Sequence, residues 1–219
     1  MKKNTVLEIR DLSLHFKLKR LFHNLSFSLE KGENATITGK SGSGKTSLLK
    51  CILGFSCPAT GTIFIKENIL TEHSIWKLRQ NIGFVPQEPN LGDLTVLEFL
   101  KHPFIFKANK SLRWDSSFLH ELMFTFHLDK DLLQKKAVLL SGGEKQRIAL
   151  LSSLLLKREI YLLDEVTSAL DDETRLAVIE YLREQDNVTF LFVSHDKEIK
   201  AMSHKTITLK NEHGTSIKP

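Results

Sequence analysis

Apolar positions along the chain recur with two different periods. Residues 6–12, 25–29 and 62–66 read as antiparallel strands, with strict alternation in 25–29, while 35–38 is a short apolar strand leading straight into a glycine-rich turn. From residue 45 the period becomes helical. Leu48, Leu49, Ile52 and Leu53 fall at helical spacing over 45–53, and Gly54 stops the helix. Residues 82–85 form another short apolar strand, ended by Pro86. Helical spacing returns over 95–101 and 116–126, and again from Ser141 towards Leu156. Residues 160–163 and 189–193 read as buried strands, with an amphipathic helix over 172–184 between them. Residues 206–209 read as an edge strand that closes the fold.

This alternation predicts an α/β protein: a core with a mostly parallel sheet, an N-terminal antiparallel β subdomain and an inserted helical subdomain. The length, 219 residues, suits one domain over 1–219, with the insertion at about 90–139. Six of the fourteen phenylalanines lie between Phe99 and Phe126. Those rings either build the core of a small helical layer or line a groove for a partner's helix.

Composition narrows the function classes. The net charge is +5, but the lysines are spread along the chain, and the densest group, 17–20, is small. No nucleic-acid partner is expected from that pattern. Cys51 and Cys57 lack a C-x-x-C spacing and a nearby histidine, which argues against a metal site; reduced thiols are expected. No apolar run approaches the roughly 18–20 residues of a membrane helix. The start of the chain does not resemble a secretory signal. If the protein works at a membrane, another chain is expected to span it.

The candidate chemistry begins at Gly39, Lys40, Ser41, Gly42, Ser43, Gly44, Lys45 and Thr46, which fit G-x-x-x-x-G-K-[ST] between an expected strand and an expected helix. Glycines let successive N–H groups turn towards an anion, and the helix N-terminus adds roughly half a positive charge. Lys45 can reach the β- and γ-phosphates of ATP, and the Thr46 hydroxyl can ligate Mg²⁺. A second cluster suits the first. The apolar strand 160–163 ends in Asp164 and Glu165, where acids face the ligand crevice of a parallel sheet. Asp164 is placed to hold Mg²⁺, and Glu165 to orient and deprotonate the attacking water.

Leu140, Ser141, Gly142, Gly143, Glu144, Lys145, Gln146 and Arg147 form a second glycine-rich turn with a serine at a helix start. Here the chain resembles the ATP-binding cassette family. The resemblance implies that two copies pack head to tail, with Ser141, Gly142, Gly143 and Glu144 of one closing over the γ-phosphate held by the other. It extends the nucleotide loop to Ser47. Gln87 matches the glutamine that senses Mg²⁺ and water, Asp171 the dimer-communicating loop, and His195 the switch histidine at the γ-phosphate. Phe16 falls where an aromatic ring stacks on adenine. Lys45, Gln87, Glu165 and His195 are thus the implied catalytic residues, and Thr46, Gln87 and Asp164 the implied Mg²⁺ set. Lys40 and Val166 stand where proline is common, Ser152 where arginine is usual, and Phe16 in place of tyrosine. None of these departures removes a group needed for phosphate chemistry.

The resemblance further implies an ATPase on the cytoplasmic face of the membrane, working with separate transmembrane permease subunits. Its dimer would be homomeric or formed with a sister cassette. Residues 92–100, His102, Pro103, Phe104 and the Gly-Glu-Lys-Gln-Arg run resemble small bacterial cassettes of the metal- or iron-export type. Lipoprotein and antibiotic-type exporters are the alternative. Cassettes acting on DNA or ribosomes are disfavoured, because the chain has no room for a very long coiled coil and carries one cassette.

Overall fold

The structure, a computed structural model, describes residues 4–16, 19–209 and 215–218. It divides into two compact units. Of the described residues, the first contains those up to Ile82, Glu159–Asp164 and those from Asn187 onward. The second contains Gly83–Arg158 and Glu165–Asp186.

Two sheets build the first unit. One is antiparallel, with order β2-β1-β4-β5: β1 (Thr5–Phe16), β2 (Lys19–Glu30), β4 (Thr60–Ile65) and β5 (Asn68–Ile69). β1 and β2 form a long hairpin, from Thr5 opposite Glu30 to Phe16 opposite Lys19. They run well past the expected 6–12 and 25–29 because bulges break the period of two. Asp11 and Asn24 both take left-handed backbone angles (φ 49° and 48°). Polar side chains then pair across the ladder: Ser13 Oγ lies 2.9 Å from His23 Nδ1, and Ser26 Oγ donates to Asp11 at 3.1 Å.

The second sheet positions the candidate site. In this unit its strands run β10-β9-β3-β8-β7: β10 (Thr215–Lys218), β9 (Lys205–Leu209), β3 (Ala35–Gly39), β8 (Thr189–Val193) and β7 (Ile160–Asp164). β3 is parallel to both β8 and β9, and β7 is parallel to β8. Residues 206–209 are therefore not an edge, since β10 pairs antiparallel outside them. The strands β7 and β8 are buried throughout. They read as continuous apolar runs because both faces are covered. Phe190 stacks on Tyr161 and Phe192, with ring centroids 5.4 and 5.6 Å away. α1 (Lys45–Ile52) follows β3 and buries Leu48, Leu49, Cys51 and Ile52; a short α2 (Ile75–Leu78) follows β5.

The strand β6 (Ile82–Val85), at the position expected, leads into the second unit, which is otherwise largely helical: α3 (Val96–Lys101), α4 (Ser116–Thr125), α5 (Gly142–Leu154) and α6 (Asp172–Arg183). Their starts are written in the sequence. Thr95 and Glu98 form a capping box, Asp115 caps α4, and Asp171 caps α6. The core gathers Leu100, Leu119, Leu122, Met123, Phe126, Ile148, Leu151, Val178 and Leu182. Phe126 meets Tyr181 edge-on at 5.4 Å. The rings of 99–126 divide by exposure. Phe126 is fully buried, whereas Phe106 and Phe124 are 50% and 86% exposed. Among the described residues, no helix is long and apolar enough to cross a membrane.

Candidate nucleotide site

Parallel register sets the site in the first unit. Asp164 lies opposite Val193, which lies opposite Ile37. The next residues of all three strands therefore emerge at one sheet end, where α/β folds bind ligands. From β3 comes the glycine loop, from β7 Asp164, and from β8 the turn carrying His195.

The loop is built for close approach. Gly39 has φ 150°, and a Cβ there would sit 2.6 Å from Ser43 Oγ and 2.7 Å from the Leu209 carbonyl oxygen. Only a residue without a side chain fits. Ser43 N–H donates to the Lys40 carbonyl at 3.1 Å, tightening the turn. Lys45 Nζ donates to the Gly39 carbonyl at 2.9 Å and to the Lys40 carbonyl at 3.4 Å. The ammonium is thereby held on the loop it serves. The Gly39→Ala variant is expected to lose about 1–3 kcal/mol of stability from this clash and strained angle. It is also expected to bind ATP more weakly. Thermal unfolding and titration with a fluorescent ATP analogue check both.

Thr46 Oγ1 donates to Asp164 Oδ2 at 2.7 Å, joining the loop to the strand end. Asp164 is 1% exposed, and its Oδ1 is buried without a hydrogen-bond partner. Burial pushes its carboxyl above the usual range, against the pull of the Thr46 hydrogen bond and the charges of Lys45 and Lys50. A hydroxyl beside a carboxylate with one unsatisfied oxygen is an all-oxygen donor set. That set fits Mg²⁺.

His195 is exposed in the turn after β8. Its neighbours fix that turn: Asp196 N–H donates to Ser194 Oγ at 3.0 Å, and Asp196 caps α7 (Lys197–Met202). The ring of Phe16, expected against adenine, lies outside the described side chains. Lys40, Ser41 and Gly42 are exposed, whereas Ser43 is buried.

The remaining candidates lie in the second unit. Ser141 opens α5 through a capping box: its Oγ accepts from Glu144 N–H at 3.2 Å, and Glu144 Oε2 accepts from Ser141 N–H at 2.7 Å. That hydrogen bond holds the Glu144 carboxyl below its ordinary range. The box uses donors that an anion would otherwise meet. It leaves the N–H groups of Gly142 and Gly143, which have no carbonyl four residues back in the helix. Gly143 is required for a further reason, because a Cβ would sit 2.8 Å from the Ala169 carbonyl oxygen. Arg147 anchors the same helix to the Phe126 and His127 carbonyls at 2.9 and 3.0 Å. Gln146, a residue without an expected role, donates to the Pro86 carbonyl at 3.2 Å and so steadies the residue before exposed Gln87. Glu165 takes a left-handed backbone angle, φ 50°. Its carbonyl accepts from Ser168 N–H at 3.1 Å and Ser168 Oγ at 2.8 Å.

A strand, a glycine loop, a helix and a buried aspartate at a neighbouring strand's end define a P-loop nucleotide-binding protein. Residues 22–168 match the ABC transporter family, and the chain belongs to that family. It is an ATP-binding cassette ATPase. The chain is 35% identical over 199 residues to the probable iron export ATP-binding protein FetA of Escherichia coli (strain K12), covering 89% of this chain and 87% of that protein. It is 32% identical over 193 residues to the energy-coupling factor transporter ATP-binding protein EcfA1 of Enterococcus faecalis (strain ATCC 700802 / V583), covering 85% and 68%. Its fold matches the dimeric structure of a post-hydrolysis state of the ATP-binding cassette MJ0796 bound to ADP and Pi, with TM-score 0.84 and 28% identity over 96% of this chain and 97% of that one.

Proposed function

We propose that this ATPase is the energy-coupling subunit of a membrane transporter and that it works as a pair closed around two ATP molecules. The observation that carries this is the second helix-opening glycine turn, at Ser141, in a chain that already carries a complete phosphate loop with its aspartate. One nucleotide needs one such loop. A second turn is explained if it caps the triphosphate bound by another copy, in a two-fold assembly. The dimeric form of MJ0796 supports that reading.

In this reading the amides of residues 39–46 and Lys45 grip the β- and γ-phosphates. Thr46, Asp164 and Gln87 hold Mg²⁺, which offsets phosphate charge. Glu165 takes the proton of the attacking water, and His195 contacts the γ-phosphate. Phe16 stacks on adenine, Ser47 completes the loop, and Asp171 relays closure between copies. Residues 1–219 act as one cassette, with 90–139 as its helical insertion.

The cassette sits on the cytoplasmic face of the membrane, bound to a permease that supplies the span. Phe124, 86% exposed on α4, offers that partner an apolar anchor. The transported substrate we assign is a metal ion, iron first, from the likeness to FetA. The test is co-expression with a multi-span permease encoded beside this gene. The permease should co-purify with the chain and raise its ATP turnover, and Phe124→Ser should weaken both effects. A neighbouring permease that neither co-purifies nor changes turnover would contradict the assignment.

A further inference from the structure

Within the second unit, residues 101–114 carry Lys101, Lys107, Lys110 and Arg113, all exposed, and no acidic residue. The middle of this cationic stretch is apolar, and its apolar residues point outward. Ile105 and Phe106 are 70% and 50% exposed, large values for side chains that cost free energy in water.

The local structure explains why these residues stay outside the core. Asn109 is buried and donates through Nδ2 to the Pro103 carbonyl at 2.8 Å, closing a small loop from the inside. Asn109 N–H adds a second tie, to the Phe106 carbonyl at 2.9 Å. The loop's base is thus fixed, and its tip is Ile105 and Phe106. His102 packs edge-on against Phe106 at 5.1 Å, and Phe104 against Trp114 at 5.4 Å. Lys101 Nζ lies 5.5 Å from the Trp114 ring centre. Lys107 and Lys110 are three apart around one tight turn (Lys107–Asn109), a spacing that stacks side chains on a single face.

A cavity of about 410 Å³ adjoins this loop, lined in part by Ser111, Arg113, Trp114, Ser116 and Lys157. Asp115 also lines it. Its carboxylate already accepts from Phe118 N–H at 2.9 Å and faces Lys157 at 3.5 Å. The cavity therefore keeps a net positive lining with two hydroxyls, suited to a phosphate ester.

We propose that residues 101–116, with Lys157, form a contact for anionic phospholipid at a bilayer surface. Ile105 and Phe106 enter the boundary between headgroups and acyl chains, as apolar side chains of interfacial proteins do. Lys101, Lys107 and Lys110 face lipid phosphates. The cavity beside Arg113 takes one headgroup. Charge complementarity selects this occupant. An apolar peptide would satisfy Ile105 and Phe106 but leave the surrounding cations without counter-charges. The contact is independent of which permease the chain serves, and it would orient the ATPase at the membrane without a spanning helix.

Flotation of the full chain with protein-free vesicles tests this. The protein should float with vesicles of phosphatidylcholine mixed with phosphatidylglycerol, and not with phosphatidylcholine alone. Added salt should weaken binding, because exposed charges are screened beyond about 10 Å at 0.1 M. Reversing both charges in Lys107→Glu/Lys110→Glu should lower partitioning at least about 25-fold, since each cation near an anionic surface contributes about a factor of five. The apolar variant Ile105→Ser/Phe106→Ser should also lose flotation. Both variants should keep wild-type ATP turnover in solution, which separates lost lipid contact from lost folding. Equal flotation with the zwitterionic vesicles, no flotation at all, or wild-type flotation by the charge-reversal variant would overturn the proposal. None of those results bears on the permease reading, because the vesicles contain no protein.

Discussion

Replacing Glu165 by glutamine is expected to lower ATP turnover by about 10²–10⁴-fold, the usual contribution of a positioned general base. Nucleotide affinity should stay near wild type. Glu165 directly follows Asp164 at the end of β7 and sits at φ 50°, a region that costs a non-glycine residue about 1–3 kcal/mol. The turn that holds it there is made by Ser168, whose N–H and hydroxyl both bond the Glu165 carbonyl. None of those bonds uses the Glu165 carboxylate. The amide variant therefore keeps the backbone turn and the side-chain shape while removing the proton acceptor. Phosphate release at saturating MgATP, measured beside nucleotide binding, separates the two effects. Unchanged turnover would remove Glu165 from the chemistry.

The second large effect is expected at Ser141. Ser141→Arg removes the hydroxyl that accepts from Glu144 N–H and costs about 1 kcal/mol in lost capping. It also places a long cationic side chain at the turn that is to meet the neighbour's triphosphate. Turnover should fall by about 10²–10³-fold, the scale seen when one preorganised donor at a developing charge is lost. ATP binding should persist, because Lys45 and the loop amides belong to a different segment. Ser141→Ala is the control, since it removes the cap without adding bulk. If Ser141→Arg and Ser141→Ala lose the same small fraction of activity, Ser141 is a helix cap and no more.

Much of this architecture was legible because the determining signals are local. The loop 39–46 is an unbroken run of residues with one strand before it and one helix after it. Ser141 reads as a helix start because it is a serine placed one residue before α5, whereas the capping by Thr95 and Asp171 emerged only from the structure. The strands 160–163 and 189–193 were readable because burial on both faces makes them continuously apolar. Less legible was whatever depended on distant partners. β1 and β2 extend beyond 6–12 and 25–29, where bulges at Asp11 and Asn24 shift the register and polar pairs such as Ser13–His23 hold the ladder together. β9 looked like an edge because β10 has only four residues, Thr215–Lys218, and little apolar patterning. The short helix Lys197–Met202 was missed because its cap, Asp196, follows a histidine read for its chemistry. At the site, two facts required coordinates. One is the unsatisfied Oδ1 of Asp164. The other is that Glu144, at a position read for contact with the neighbouring copy, also serves the helix start by accepting from Ser141 N–H.

In the proposed assembly two separated turns, 39–46 and 141–143, share one triphosphate across two copies. The most direct measurement uses two differently tagged forms, one wild type and one carrying Lys45→Ala, mixed with an ATP analogue bearing a photoreactive γ-phosphate. Adducts are expected at residues 141–144 of the Lys45→Ala copy, delivered by nucleotide held on the wild-type copy. Adducts confined to the wild-type glycine loop at every protein concentration would contradict that assembly.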